Sequence, residues 1–392
     1  MRAPFTLIRR MVAVACLGQP IVVAVAPSAG CANATDESDV KTDSMSNVDL
    51  GNREYLLYIP TQYKPTVPAP LILSYHGGSR DADHQAALDQ FNSTFFNKNY
   101  LVAYPNSVDG FWQGSPGVTS DDIGFTKKIL DQVGKQYCVD EQRIYATGKS
   151  QGGGMAGLLA ADPDLSTMIA AFAPVAGAFY VSEDAKCRPD TVNISSDPGR
   201  PDIPILELHG EADDVIPYDG GADRGDCLPA IPHWIQSWAQ SNGLDPDTNT
   251  TSKVKGATNN KATVFQFGTG NSLGMVTHIM VGEDIGHDWP STEDNEDNTI
   301  QGHGPASFNA SSIIIDFFDS HSMPTTQTLG PQTSGDQTAT SLDSSPAGPT
   351  AATQTGTNNV SGSTRQTWSF ELLLSLSSVV LIFASRFISI GI

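Results

Sequence analysis

The chain has 392 residues and a formal net charge of −21 with no basic stripe, which excludes a partner recognised through a phosphate backbone. Its apolar fraction of 39% is slightly under the globular norm, and the polar excess lies at the two ends. What remains, roughly 48–321, is long enough to bury a substantial core as one domain.

In chain order, Arg2, Arg9 and Arg10 precede an apolar run over 11–25 and the small residues Pro27-Ser28-Ala29-Gly30. This is the pattern of a cleaved signal peptide, expected over 1–30, and it predicts secretion. Outside it lie Cys31, Cys138, Cys187 and Cys227. An even count in an oxidising compartment predicts two disulfides. All pairings are open, with Cys187–Cys227 favoured because the two flank one predicted strand. Asn33, Asn92, Asn193, Asn249, Asn309 and Asn359 each head a glycosylation sequon, which also fits export.

Residues 55–60 read as a strand ended by proline, 71–75 as a strand buried on both faces, and 101–104 as a third. A helix is expected over 121–136, with Ile123, Leu130 and Val133 on its stripe and two aspartates at its start. A short strand at 144–147 leads through glycines into a helix ending near 161. Further strands are expected at 171–176, 205–209, 263–267 and 277–281. Helices are expected at 232–241 and 307–318, the last capped by Ser307. Alternating strands and helices predict an α/β fold: a mostly parallel central sheet covered on both faces. No insertion is long enough to make a large lid. The domain is expected over 31–321. Beyond it, 322–366 is rich in Ser, Thr, Gly and Pro and reads as a flexible, O-glycosylated stalk. The hydrophobic tail, 367–392, has an apolar core at 372–385 preceded by Ser361-Gly362-Ser363, which matches a GPI-attachment signal. A transmembrane helix is the rival reading, but the run is short for a span. Either way the only membrane contact expected is this tail, and the domain is expected at the outer cell surface.

The chemistry concentrates in Gly148-Lys149-Ser150-Gln151-Gly152, placed between a predicted strand and a predicted helix. A nucleophile elbow needs that setting: a tight turn that lifts the serine hydroxyl above the sheet edge and aims a helix N-terminus at developing negative charge. Serine needs a base, and the base needs an acid. Asp213 and Asp214 both follow the strand at 205–209, and Asp213 is preferred. His287, in the loop Gly286-His287-Asp288-Trp289-Pro290, is the candidate base. The backbone amides of Gln151 and of Gly78, in His76-Gly77-Gly78-Ser79, are the candidate oxyanion donors. Trp112 and Trp289 are candidate substrate-lining residues, with packing in the core as the equal alternative. No metal-ligand cluster or phosphate loop occurs, so no cofactor is expected.

Six motifs in order carry a family resemblance: His-Gly-Gly at 76–78, Tyr-Pro-Asn at 104–106, Asp-Asp-Ile-Gly-Phe at 121–125, Tyr-Ala-Thr-Gly-Lys-Ser-Gln-Gly-Gly-Gly at 145–154, His-Gly-Glu-Ala-Asp at 209–213 and Gly-His-Asp-Trp-Pro at 286–290. Together they resemble the secreted feruloyl esterases, relatives of acetylxylan esterases and polyhydroxybutyrate depolymerases. The resemblance implies an α/β-hydrolase fold and hydrolysis of ferulate esters on plant cell-wall polysaccharide. By motif position it implies Ser150 as nucleophile, Asp213 as acid and His287 as base. The alternatives are an acetylxylan or polyhydroxybutyrate esterase, and a cell-surface adhesin that reuses the fold.

Overall fold

The computed structural model describes residues 27–33, 40–182, 186–282 and 285–323. The expectations for 1–26 and 324–392, which carry the signal-peptide core, almost all of the stalk and the tail, lie outside the described residues.

The framework is a ten-stranded sheet. Its strands are β1 (Ser44–Asp49), β2 (Glu54–Ile59), β3 (Ala69–Tyr75), β4 (Leu101–Pro105), β5 (Val139–Lys149), β6 (Ala171–Val175) and β7 (Ile205–His209), then β10 (Asn249–Lys253), β11 (Thr263–Phe267) and β12 (Val276–Met280). A separate two-stranded hairpin pairs β8 (Gly221–Asp223) with β9 (Asp226–Leu228). The spatial order is β1-β2-β4-β3-β5-β6-β7-β12-β11-β10, parallel from β4 through β12 and antiparallel at both edges. This is the mixed, mostly parallel sheet of the α/β-hydrolase fold.

The helices are α1 (Ala29–Ala32), α2 (Ala82–Asp89), α3 (Asp122–Gln136), α4 (Gln151–Ala161), α5 (Ile231–Ser241), α6 (Glu296–Gln301) and α7 (Ala310–Asp319). β3, β4, β6 and β7 are buried along their whole length, as strands covered on both faces must be. In β3 the two-residue period divides the core: Leu71, Leu73 and Tyr75 face one side and Ile72 the other. The first side packs on Ile129, Met155 and Trp234, which come from α3, α4 and α5. The second packs on Ala86 and Phe318, from α2 and α7.

Three features differ from the sequence reading. The closing helix starts at Ala310, with Asn309 and not Ser307 at its N-cap. Backbone bonds from Ala306 N to Ser291 O and from Ala310 N to Pro290 O tie residues 306–309 to the loop after His287, so the helix starts later. β5 runs from Val139, five residues ahead of the strand expected at 144. The folded domain also begins ahead of Cys31: Ser28 N donates to Val139 O, Ser28 Oγ donates to Tyr137 O, and Ser28 and Gly30 are buried. Two disulfides are present, Cys31–Cys138 and the favoured Cys187–Cys227.

Candidate functional site

The parallel strands β3, β5, β7 and β12 deliver four loops to the carboxyl edge of the sheet, where open α/β sheets place their sites. Ser150 joins β5 to α4 with φ 58° and ψ −119°, a left-handed conformation unusual for serine. Neighbouring backbone holds it there: Ser150 N donates to Val175 O at 2.9 Å, and Ser150 O accepts from Gly154 N at 2.9 Å and Ala178 N at 3.0 Å. The flanking glycines are steric requirements. A Cβ at Gly148 would lie 2.5 Å from Gly152 O, and one at Gly152 would lie 2.1 Å from Tyr75 O.

Three side chains from distant parts of the chain meet at this turn. His287 Nε2 lies 2.8 Å from Ser150 Oγ, and its Nδ1 lies 2.7 Å from Asp213 Oδ2. The other Asp213 oxygen accepts the backbone N–H groups of Val215 at 2.9 Å and Ile216 at 2.8 Å, which fixes the carboxylate plane. Asp214 is exposed and takes no part. Burial alone would raise the Asp213 pKa. Hydrogen bonds and charge from His209 and His287 outweigh it, and the carboxyl is held well below its usual range. Burial, then the positive charge of Lys149, push His287 below the ordinary imidazole value while Asp213 pulls the other way. Nδ1 faces an ionised carboxylate and so carries the proton, which leaves Nε2 as the acceptor for the Ser150 hydroxyl.

The loop after β3 closes the other side. A Cβ at Gly78 would lie 2.9 Å from the Gln151 side chain and one at Gly77 3.6 Å from Ser150 Cβ, so the Gly77-Gly78 turn lies against Ser150 and Gln151. His76 anchors this loop: its ring is 2.7 Å from Gly77 O and accepts from Ser107 N at 3.2 Å. Burial pushes His76 down to about 4, so it is a neutral structural ring. The resulting cleft, of about 240 Å³, is lined by Gly78, Phe111, Ser150, Val215, His287 and Ile300 among others.

The two tryptophans do not line it, which corrects the sequence reading. Trp112 is wholly buried against Tyr75 and His76, and its Nε1 donates to His76 O at 2.8 Å. Trp289 is 1% exposed, packs edge-on to Phe91 and donates to Ser311 Oγ at 3.0 Å. An indole shares an apolar body with a single donor, and here both parts are used inside the core. Trp112 instead pins the loop that carries Gly78.

Sequence reasoning also passed over several polar side chains around the site. Lys149 Nζ pairs with Asp297 Oδ2 at 3.1 Å, both nearly buried, and Asp297 also accepts Trp289 N at 3.1 Å. His303 Nδ1 accepts from Gly286 N at 3.0 Å and lies 3.2 Å from Asp288, which steadies the loop of His287. Glu207 and His209 lie behind Asp213. One cue to them stood in the sequence: Glu207 is a carboxylate inside an otherwise apolar strand.

No family model matches the chain. It is 30% identical over 212 residues to feruloyl esterase B of Piromyces equi, a match that takes in 50% of this chain and 37% of that one. It is 25% identical over 251 residues to a bifunctional acetylxylan esterase/xylanase of Neocallimastix patriciarum, across 62% of this chain and 32% of that one. The chain thus spans only about a third of the length of these curated relatives. Among solved structures, an acetyl xylan esterase from Aspergillus awamori aligns with a TM-score of 0.44 at 18% identity, over 67% of this chain and 100% of that one. By these sequence matches, on a sheet whose strand order is that of the α/β-hydrolases, the chain is similar to feruloyl and acetylxylan esterases.

Proposed function

We propose that this protein is a serine carboxylic-ester hydrolase that releases hydroxycinnamate, ferulate in the first instance, from plant cell-wall polysaccharide. The observation that carries the reading is the unbroken line Asp213–His287–Ser150, with contacts of 2.7 and 2.8 Å, at the carboxyl edge of the sheet. His287 Nε2 takes the Ser150 proton as Oγ attacks the ester carbonyl. The tetrahedral oxyanion is received by the backbone N–H groups of Gln151 and Gly78. His287 then protonates the departing sugar alcohol, and water, deprotonated by the same nitrogen, hydrolyses the acyl-enzyme. Asp213 holds the tautomer and balances the imidazolium that forms. No cofactor enters this sequence.

Acyl preference is read from the cleft rim. Val215 is 46% exposed and Ile300 63% exposed beside the nucleophile, and Phe111 joins them. Large apolar groups left in water at a cleft mouth favour a planar aromatic acyl group over acetyl. In the same reading the enzyme is exported through the N-terminal signal and tethered outside the cell by its C-terminal tail. The sequence patterns of both ends and the two disulfides support that placement.

The test is a substrate panel of methyl ferulate, an aryl acetate, acetylated xylan and polyhydroxybutyrate, run on the wild type and on Ser150→Ala. Highest kcat/KM on methyl ferulate, lost in the variant, is expected. A preference for acetylated xylan would move the assignment to the acetyl branch. Undiminished hydrolysis by Ser150→Ala would remove the serine mechanism altogether.

A further inference from the structure

Behind Asp213, away from Ser150, β7 carries a carboxylate where its pattern calls for an aliphatic side chain. Glu207 is wholly buried. A buried charge is tolerated only when paired. Glu207 Oε1 lies 2.9 Å from His209 Nδ1, and Oε2 lies 2.8 Å from Nδ1 of His278, its register partner on β12. His209 Nε2 in turn lies 2.8 Å from Ile216 O and 3.3 Å from Asp213 Oδ2. That Asp213 oxygen is the one that meets His287, so it sits between two imidazoles.

A neutral imidazole has one N–H and one bare lone pair. Both nitrogens of His209 face oxygens that only accept: a carboxylate on one side, a carbonyl and a second carboxylate on the other. A neutral ring would set a nitrogen lone pair against an oxygen lone pair at a site with no solvent access. His278 differs. Its Nε2 is 2.9 Å from the Tyr218 hydroxyl, which can donate, so no such clash of lone pairs arises there.

We propose that His209 is a fixed imidazolium, clamped by Glu207, that shares Asp213 with His287 and so keeps His287 a neutral base further into acid than an unshared Asp–His pair would. The proposal rests on the reading of Ser150, His287 and Asp213 as a triad, and it makes Glu207 and His209 positioning residues. Although burial opposes it, Glu207 and Asp213 push His209 up to about 10. Glu207 is also held below its ordinary value despite its burial, by His209 and His278. Facing His209 are Glu207, Asp213 and Tyr218. Facing His287 are Asp213, His209 and Lys149. The Lys149 charge is answered by Asp297, and burial pushes the carboxyl of Asp288, next to His287, above its ordinary value. His209 is the cation that acts on His287 through the shared carboxylate.

The experiment is a histidine side-chain ¹⁵N NMR titration of the wild type and of His209→Gln, with kcat/KM against pH beside it. In the wild type His209 is expected to carry protons on both ring nitrogens from pH 5 to 9 while His287 titrates. In His209→Gln the amide still reaches toward Ile216 O but carries no charge. The His287 midpoint and the acidic limb of kcat/KM are expected to rise together by about one pH unit, a tenfold loss on the falling limb. Should loss of its partner leave Glu207 unable to fold, Glu207→Gln/His209→Gln removes both charges, and the same rise is expected. A bare ring nitrogen on His209 at neutral pH, or an unmoved His287 midpoint in a folded variant, overturns the proposal. A wild type inactive on every ester overturns only the triad reading, because the two NMR titrations need no substrate.

Discussion

At the scale of single residues, the site depends on a serine held in a backbone conformation that serine rarely adopts. The cost is met by sterics: Gly148 and Gly152 exist so that β5, α4 and the end of β3 can close around Ser150. Gly152→Ala is expected to lower kcat/KM by about a hundredfold or more, because the added methyl must displace Tyr75 O and with it the reacting geometry. Turnover within a few-fold of wild type would show that the turn tolerates the shift. Burial and Lys149 lower the His287 pKa, so in the proposed mechanism the base is neutral above its depressed value and lost as pH falls through it. The acidic limb of kcat/KM should therefore lie below about pH 6.5, the ordinary imidazole value. A limb at pH 7 or above would contradict the sign. Ser150, Asp213 and His287 were legible because each sits in a short motif at a strand end, in the chain order serine, acid, histidine. Trp112 and Trp289 were misjudged. Sequence shows an indole near a motif but not which way it points, and here both point into the core.

At the scale of elements, the sheet positions everything. Its central strands were readable because β3, β4, β6 and β7 are nearly continuous apolar runs. β1 and β10 were not, because edge strands have little to bury: Asn249–Lys253 is exposed at every position. α2 also went unread; its first turn is polar, and it is recognisable mainly through its Asp81 cap, which accepts from His84 N. The β3 loop depends on Trp112, whose indole is both core and hydrogen-bond donor to His76 O. Trp112→Ala is expected to cost about 3–5 kcal/mol in urea unfolding and to lower kcat at the same time, since the loop bearing Gly78 loses its pin. Lowered stability with unchanged kcat would separate the loop from the indole.

At the scale of the whole molecule, α1 is stapled to the start of β5 by Cys31–Cys138, which closes a loop of 107 residues. A closure of that length corresponds to about 4–5 kcal/mol of unfolded-state entropy, so a reducing agent, which opens this disulfide together with Cys187–Cys227, should lower the urea midpoint sharply. An unmoved midpoint would mean that the staple adds nothing. The same region bears on maturation. Ser28 and Gly30 are built into the fold, so if the proposed export holds, N-terminal sequencing of the mature protein should start at or before Ser28. A start at Cys31 would contradict that docking. Fold class, the central strands and the choice of Ser150, Asp213 and His287 as candidates followed from local pattern. The Glu207–His209 pair did not, because only the pairing of β7 with β12 brings its partners together.

The central claim is that Ser150 is the nucleophile of an ester hydrolase. It is tested most directly by treating the protein with a fluorophosphonate during methyl ferulate hydrolysis and mapping the adduct by mass spectrometry. The account predicts one adduct, on Ser150, formed in step with loss of turnover and absent from His287→Ala on the same timescale. Full hydrolysis by fully labelled protein, or inactivation with the label on another residue, would contradict it.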